Sequence, residues 1–182
     1  MRGILNTGNA RGADRAWGDA GAATGFSVRH FIFDEHPRSK KPGQENVVLT
    51  LDQLVEAEPF LERANATIGR QVPPLSTFSG KLLRRNWWQQ QDANSVYVVT
   101  YLADGLIGGG SAWATQMFVD RHDPGPLPIY AFDQVTGLWH AWAGARFEAI
   151  DGKPPVPEGV AAAIGTRDMD DRGANAIVDL LS

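Results

Sequence analysis

The chain has 182 residues, a net charge of −4 at pH 7 and no cysteine. Its length suits one domain with a single hydrophobic core. The acidic balance disfavours a nucleic-acid-binding protein, and no apolar run reaches the roughly 18 residues that a membrane span needs. Zero cysteines exclude disulfides, thiolate metal ligands and a thiol nucleophile, as is typical of a cytoplasmic protein.

The first thirty residues predict a strand, a helix and a second strand. The short apolar segment 3–6 forms the first strand, and "FSVRHFIF" at 26–33 is β-branched and aromatic, which indicates the second. The helix between them is predicted from the helical spacing of Ala13, Ala16, Trp17 and Ala20. A strand–helix–strand unit of this length implies a parallel sheet.

The middle of the chain predicts a loop followed by helices. Residues 34–46 are polar and broken by prolines, so they are expected to form a loop. Thr50 and Gln53 have the spacing of a capping box at the start of a helix. A second helix is expected from Pro59, because proline is tolerated in a first turn, and a third over 80–93.

The second half begins with the clearest strand of the sequence. Residues 95–102 are almost continuously apolar, as a central parallel strand should be. A glycine-rich loop and a helix follow. Segments 127–133 and 137–144 then predict two strands joined by a tight turn, and "DGKPPVPEG" at 151–159 is an extended linker before a small terminal helix at 172–182.

These elements predict an α/β fold. We expect a single Rossmann-like domain over residues 1–150, with a mainly parallel sheet flanked by helices and an antiparallel hairpin at its edge. Residues 151–182 are expected to supply a linker and a short C-terminal helix packed on the same domain.

Two glycine-rich corners follow predicted parallel strands where helices begin. Open α/β sheets bind ligands at this position, because a helix N-terminus offers unpaired N–H groups to an anion. Gly8 and Gly12 with Arg11 form the first corner. Residues 108–110 form the second, with Ser111 as the predicted helix cap and hydroxyl donor. The alternative is that small residues merely serve the turns.

Neither corner matches the G-x-G-x-x-G pattern or the Walker pattern with its Lys-Ser/Thr. A P-loop NTPase and an ordinary NAD dehydrogenase are therefore disfavoured. Two such corners in one sheet, one of them with an arginine, favour a ligand that contains an anion.

The segment "GNARGADRAW" at 8–17 resembles the G-x-A-R-G-A-D-R segment of the SLOG superfamily. This Rossmann-like group contains cytokinin-activating phosphoribohydrolases, molybdenum-cofactor carriers and sensors of cyclic ADP-ribose-type signals in bacterial immunity. "RRN" at 84–86, then "VYVVTYL", then "GGGSAWAT" follow the order of the family. The resemblance covers roughly residues 3–122, and a start directly on the first motif strand is closer to the molybdenum-carrier branch.

The resemblance implies a nucleotide pocket built from three segments. One side would be lined by Gly8, Asn9, Ala10, Arg11, Gly12 and Asp14. Phosphate or ribose would be contacted by Arg85 and Asn86, and a second phosphate would be held by Gly109, Gly110 and Ser111. For Asp14 the residues themselves leave alternatives: a general base, an acceptor for a ribose hydroxyl, a helix cap, or an ion pair with Arg11 or Arg15.

The phosphoribohydrolase branch carries a P-G-G-x-G-T-x-x-E motif, whose glutamate acts on the N-glycosidic bond. This sequence departs from it, with Gln116 and no acid before Asp120, and a glutamine cannot do the work of that carboxylate. We therefore expect binding without turnover, to sense or sequester an ADP-ribose-derived or cyclic nucleotide signal, for instance in anti-phage signalling. The alternatives are a phosphoribohydrolase that uses Asp14 or Asp104, or a molybdenum-cofactor carrier.

Aromatic and basic residues supply further candidates. One or two tryptophans near the corners could stack on a base, although core packing is the alternative for each; they are Trp17, Trp87, Trp88 and Trp113. Trp139 and Trp142 could mark a homo-oligomer interface, and Arg167 could reach a neighbouring subunit's site. The basic run at 38–41 could close over a polyanion or simply be solvated.

The four histidines are dispersed, without H-x-x-x-H spacing. No metal site and no resident cofactor are therefore expected. The predicted partner is the nucleotide-type ligand, with homo-oligomerisation and without nucleic acid or membrane.

Overall fold

The computed structural model describes residues 2–182. Its strands are β1 (Ile4–Thr7), β2 (Ser27–Ile32), β3 (Gln44–Val48), β4 (Ser95–Thr100), β5 (Leu102–Ala103), β6 (Leu106–Ile107), β7 (Leu127–Asp133), β8 (Leu138–Trp142), β9 (Phe147–Ala149) and β10 (Val160–Gly165). Its helices are α1 (Ala13–Ala23), α2 (Leu51–Glu56), α3 (Glu58–Ile68), α4 (Phe78–Gln90), α5 (Ser111–Val119) and α6 (Asp171–Leu181).

Eight strands form one sheet in the order β3-β2-β1-β10-β4-β7-β8-β9. The pairings from β3 through β7 are all parallel, whereas β7, β8 and β9 form an antiparallel edge. The predicted α/β fold, with its mainly parallel sheet, edge hairpin and C-terminal helix, is therefore confirmed.

Helices cover both faces of the sheet. α1 and α6 pack on one face, over side chains such as Leu5, Val99 and Ala163. α4 and α5 cover the other face, where Val98 and Ile164 lie, and α3 packs outside them. Because both faces are covered, every residue of β4 is buried, which explains its nearly continuous apolar sequence.

Two helix starts have the predicted local chemistry. Thr50 accepts a hydrogen bond from the Gln53 backbone N–H, and the Gln53 side chain accepts one from Thr50 N–H, which completes the capping box of α2. α3 begins beside Pro59 in its first turn. These signals depend on neighbouring residues alone, so the sequence predicts them.

The sequence prediction missed β10, the strand in the middle of the sheet. It lies within 151–182, which was expected to hold only a linker and a helix, and it pairs with both β1 and β4. Its sequence, VAAAIG, is rich in alanine, which is depleted in strands. The small side chains suit a strand that has α1 on one face and α4 on the other.

Other strands were also missed. β3 occupies the end of the predicted loop 34–46 and continues to Val48; it is a half-exposed edge strand whose polar residues gave no strand pattern. The short strand β9 extends the antiparallel edge. A small hairpin, β5–β6, also lies in the glycine-rich stretch, where Asp104 and Gly105 both have positive φ, as a two-residue hairpin turn requires.

Among residues 2–182, no helix is both long and apolar enough to cross a membrane.

Candidate functional site

A cavity of about 670 Å³ opens at the carboxyl edge of the parallel strands. Its walls come from the loops after β1 and β10, from α4, and from the glycine-rich segment before α5. The volume lies within the range of small-molecule sites, roughly 300–1,000 Å³. The cavity is where open α/β sheets bind ligands, because helices begin and strands end there.

Most of the residues predicted for the site meet in this cavity. Those that line it are Ala10, Arg11, Asp14, Arg85, Asn86, Gly109, Gly110 and Ser111. The three others, Gly8, Asn9 and Gly12, do not line it. The tertiary structure thus brings together segments that are about 100 residues apart in the chain.

The two glycines of the first corner allow close packing behind the cavity wall. A Cβ on Gly8 would overlap the guanidinium of Arg85 and stand 2.4 Å from Asp14 Oδ2. Gly12 has a φ of 92°, and a Cβ there would stand 2.4 Å from the carbonyl oxygen of Arg167. Asn9 has a different role, since its side-chain Nδ2 donates to the Pro37 carbonyl at 2.9 Å. These three residues shape the wall.

Asp14 and Arg85 form a buried ion pair, with Arg85 Nη1 3.2 Å from Asp14 Oδ2. Burial raises the pKa of Asp14, while Arg85 and the backbone N–H groups of Gly165 and Ala10 oppose that rise. Burial likewise lowers the pKa of Arg85, against the pull of Asp14. Of the roles considered for Asp14, the ion pair is present, but its partner is Arg85 rather than Arg11 or Arg15.

The guanidinium of Arg85 has a hydrogen-bond donor that is not paired among residues 2–182. Its Nε is buried and has no hydrogen-bond partner in the part of the chain that the structure describes. A buried donor without a partner is costly, and Arg85 lines the cavity. The arrangement is suited to a ligand that supplies an acceptor.

The cavity is positively charged although the protein is acidic overall. Its lining contains four arginines and no lysine, namely Arg11, Arg70, Arg85 and Arg167. The only carboxylates in the lining are Asp14 and Asp168, so the cavity carries two more positive than negative groups, whereas the whole chain carries a net charge of −4. Positive charge concentrated in one cleft attracts an anion.

The two helix N-termini at this edge differ. At α1, the N–H of Ala13 donates to the Thr166 carbonyl at 3.0 Å and that of Arg15 to the Ala10 carbonyl, so protein atoms already occupy these donors. At α5, Gly110 is the N-cap and no side chain caps the helix. Ser111 is therefore not the cap, contrary to expectation, but the residue lines the cavity.

Sequence reasoning missed several lining residues. Arg70 donates to the Gly109 carbonyl at 3.3 Å and lies over the Trp113 ring at 5.5 Å. Gln89 follows Arg85 by one turn of α4, a spacing that could have been noticed. Residues 164–168 line the cavity because β10 ends beside β1. Arg167, predicted to reach a neighbouring subunit, lines the cavity of its own chain.

Among the tryptophans considered for base stacking, Trp113 alone lines the cavity. Trp17 is fully buried in the core, Trp87 stacks on Phe60, and Trp88 donates to the Gln53 carbonyl. Core packing therefore accounts for these three.

The remaining candidates lie elsewhere. The basic loop forms two exposed ion pairs, Lys41 with Asp19 and Arg38 with Asp34, and does not line the cavity. Asp104, in the β5–β6 turn, does not line it either. Over residues 2–182, no group of three or more His, Asp or Glu side chains is placed to hold a metal ion.

Comparison with known proteins bears on the fold. No protein-family model and no curated protein matches the sequence. The structure is similar to a crystal structure named "Putative molybdenum carrier protein" from Syntrophus aciditrophicus SB, with a TM-score of 0.53 and 15% sequence identity. The match covers 100% of this chain and 92% of that one. At this identity the likeness shows a shared Rossmann-like fold and leaves the ligand to be argued from the cavity.

Proposed function

We propose that this protein binds a phosphorylated, nucleotide-type small molecule in the cavity and does not convert it chemically. The proposal rests on Arg85, whose buried guanidinium lines the cavity. The Nε of this guanidinium has no hydrogen-bond partner among the described residues. Guanidinium groups bind phosphate through paired, charge-assisted hydrogen bonds. The ion pair with Asp14 holds the Arg85 side chain in place before a ligand arrives.

The groups around Arg85 would each bind a different part of the ligand. Arg11 and Arg167 are exposed at the rim and would hold a phosphate from two sides. The start of α5 offers backbone N–H groups and the Ser111 hydroxyl to a second phosphate. Asn86 donates to the Gly110 carbonyl at 3.2 Å, which shapes that loop and leaves its amide oxygen for a ribose hydroxyl.

The carboxylates in the lining do not suit hydrolysis. Asp14 is buried and paired with the cationic Arg85, so it is poorly placed to accept a proton from water. Asp168 is exposed at the rim. We therefore favour sensing or sequestration, with an ADP-ribose-derived or cyclic nucleotide as the finer hypothesis, over a phosphoribohydrolase.

Titration calorimetry with AMP, cyclic AMP and ADP-ribose tests the proposal. Arg11→Ala should weaken binding of the preferred compound by about 10- to 100-fold, because a charge-assisted hydrogen bond contributes roughly 1.5–3 kcal/mol. Arg63→Ala is the matched control, since Arg63 is an exposed arginine on α3 outside the cavity. Absence of binding, or equal losses in the two variants, would contradict the proposal.

Turnover is measured on the same samples by mass spectrometry. We expect each bound compound to be recovered unchanged. Recovery of free base with ribose phosphate would instead establish the hydrolase, in which case Asp14→Asn should trap substrate without converting it.

A carrier for a molybdenum-containing cofactor is the second candidate, favoured by the fold shared with the structure named as a molybdenum carrier. The same arginines would bind the phosphate of such a cofactor or the molybdate oxyanion. Adding molybdate to the calorimetric series distinguishes the two, because only the carrier predicts binding of molybdate in preference to nucleotides.

A further inference from the structure

We propose that the side-chain amide of Gln89 recognises the ring of the bound molecule through hydrogen bonds. This ring presents a hydrogen-bond donor and an acceptor side by side on one edge, as purines and pterins do. The inference rests on the proposed function and deepens it, because the arginines recognise only the anionic part of a ligand. Gln89 would make the protein selective for what is attached to the phosphate.

The state of the Gln89 side chain carries the argument. The residue is 1% exposed and lines the cavity. Neither its Oε1 nor its Nε2 has a hydrogen-bond partner in the described part of the chain. Buried polar groups are almost always paired, so a fully unpaired amide at a cavity wall is suited to a ligand that completes both bonds.

The position of Gln89 along α4 separates it from the charged groups. α4 starts at the carboxyl edge of the sheet and ends just before β4 begins at the amino edge, so later residues of the helix lie deeper beneath the rim. Gln89 comes four residues after Arg85, on the same face of the helix and about 6 Å further along its axis. The cavity thus has Arg11 and Arg167 at its rim and a neutral amide further in.

The cavity lining also contains apolar side chains. Leu83, Ala114 and Ile164 are buried and contribute to the cavity lining. Such walls suit the faces of a flat ring.

The chemistry of the amide then defines the ligand class. A glutamine donates through Nε2 and accepts through Oε1 at once, which matches the amino group and N7 of adenine. The neighbouring N–H and C=O of guanine, or of a pterin, offer the same pair of functions. These rings share the chemistry, and the experiment distinguishes among them.

The test compares affinities for five phosphate esters: AMP, purine riboside 5′-monophosphate, GMP, neopterin monophosphate and ribose 5-phosphate. Gln89→Met removes both polar atoms and keeps the length of the side chain. We expect it to weaken the best ring-bearing ligand at least tenfold and to change ribose 5-phosphate less than twofold. The preferred ligand would identify the ring edge that Gln89 binds. Tighter binding of AMP than of purine riboside monophosphate would indicate the adenine edge, and a preference for GMP or for neopterin monophosphate would indicate the guanine or the pterin edge.

Gln90→Met is the matched control. Gln90 is also fully buried, and its Nε2 is also unpartnered among residues 2–182, but it does not line the cavity. Its substitution should leave the ratio of ring-bearing to ringless affinities unchanged. The melting temperature is a second measurement: Gln89→Met should equal or exceed the wild type without ligand, because no hydrogen bond is lost.

The outcomes distinguish failure of the inference about Gln89 from failure of the proposed function. If ribose 5-phosphate binds in an Arg11-dependent way and Gln89→Met leaves the ring preference intact, the inference about Gln89 is overturned and the proposed function stands. A lower melting temperature with equal losses for all five compounds would also overturn it, since Gln89 would then be structural. If none of the five binds to the wild-type protein, both fail.

Discussion

Gly12 lies directly against Thr166, so that a Cβ on Gly12 would stand 2.5 Å from the Thr166 carbonyl oxygen. The same carbonyl accepts a hydrogen bond from the N–H of Ala13 at 3.0 Å. The first glycine-rich corner is therefore closed by the residue that follows β10, and segments near the two ends of the chain build one wall of the cavity.

Gly12→Ala should destabilise the protein by about 3 kcal/mol. The φ of 92° strains any other residue by roughly 1–3 kcal/mol, and contact with backbone carbonyls adds overpacking of about 1–3 kcal/mol. Gly25→Ala is the control: its φ is 88°, and its Cβ would meet nothing within 4 Å. Urea denaturation of both variants measures the difference, and equal losses would show that the contact with β10 contributes nothing.

Gly8→Ala should abolish ligand binding even if the protein folds. Gly8 does not have a positive φ, so the backbone tolerates alanine, but the new methyl group would occupy the place of the Arg85 guanidinium. Arg85 would have to leave Asp14. Calorimetry with the preferred ligand measures the effect. Gly152→Ala, whose Cβ would also meet nothing within 4 Å and which does not line the cavity, should bind like the wild type, and normal binding by Gly8→Ala would show that Arg85 is dispensable.

Stability should fall as the pH drops from about 6.5 to about 4, because His36 is buried in its neutral form. Burial, with a smaller contribution from the charge of Arg85, lowers the pKa of His36 from 6.5 to about 4. The unfolded chain therefore takes up a proton in this range before the folded protein does, and folding loses about 1–2 kcal/mol by pH 5.

His36→Phe should flatten this pH dependence. The imidazole stacks on Phe78 with ring centroids 5.8 Å apart, so a phenyl ring fills the same place without titrating. Burial also lowers the pKa of His30, which leaves a smaller slope in the variant. Urea denaturation at pH 7.5 and pH 5 measures the effect; an unchanged slope would mean that the pKa of His36 is the same in the folded and the unfolded protein.

Arg167→Ala should weaken ligand binding by about tenfold, as for any charge-assisted hydrogen bond, because Arg167 lines the same cavity as Arg11. Mixing the Arg11→Ala and Arg167→Ala proteins should restore nothing, since both arginines act within one chain. Recovery of wild-type affinity at a fraction of the sites in the mixture would place Arg167 in a neighbouring subunit's site instead.

Much of the fold was legible in the amino-acid pattern because its causes are local. The capping box of α2, Pro59 in α3 and the apolar run of β4 each act within a few residues of the chain. Both glycine-rich corners were also predicted to lie at the carboxyl ends of parallel strands, where open α/β sheets bind ligands.

Other features depended on contacts between distant segments. The alanine-rich β10 has no strand signal of its own, and it forms a strand because β1 and β4 pair with it between two helix layers. Its position adds Thr166 and Arg167 to the cavity. The partner of Asp14 was likewise invisible, because Arg85 is 71 residues away and only burial makes that pairing obligatory. Local pattern determined most of the elements, and long-range packing decided that β10 is a strand and which side chains face one another in the cavity.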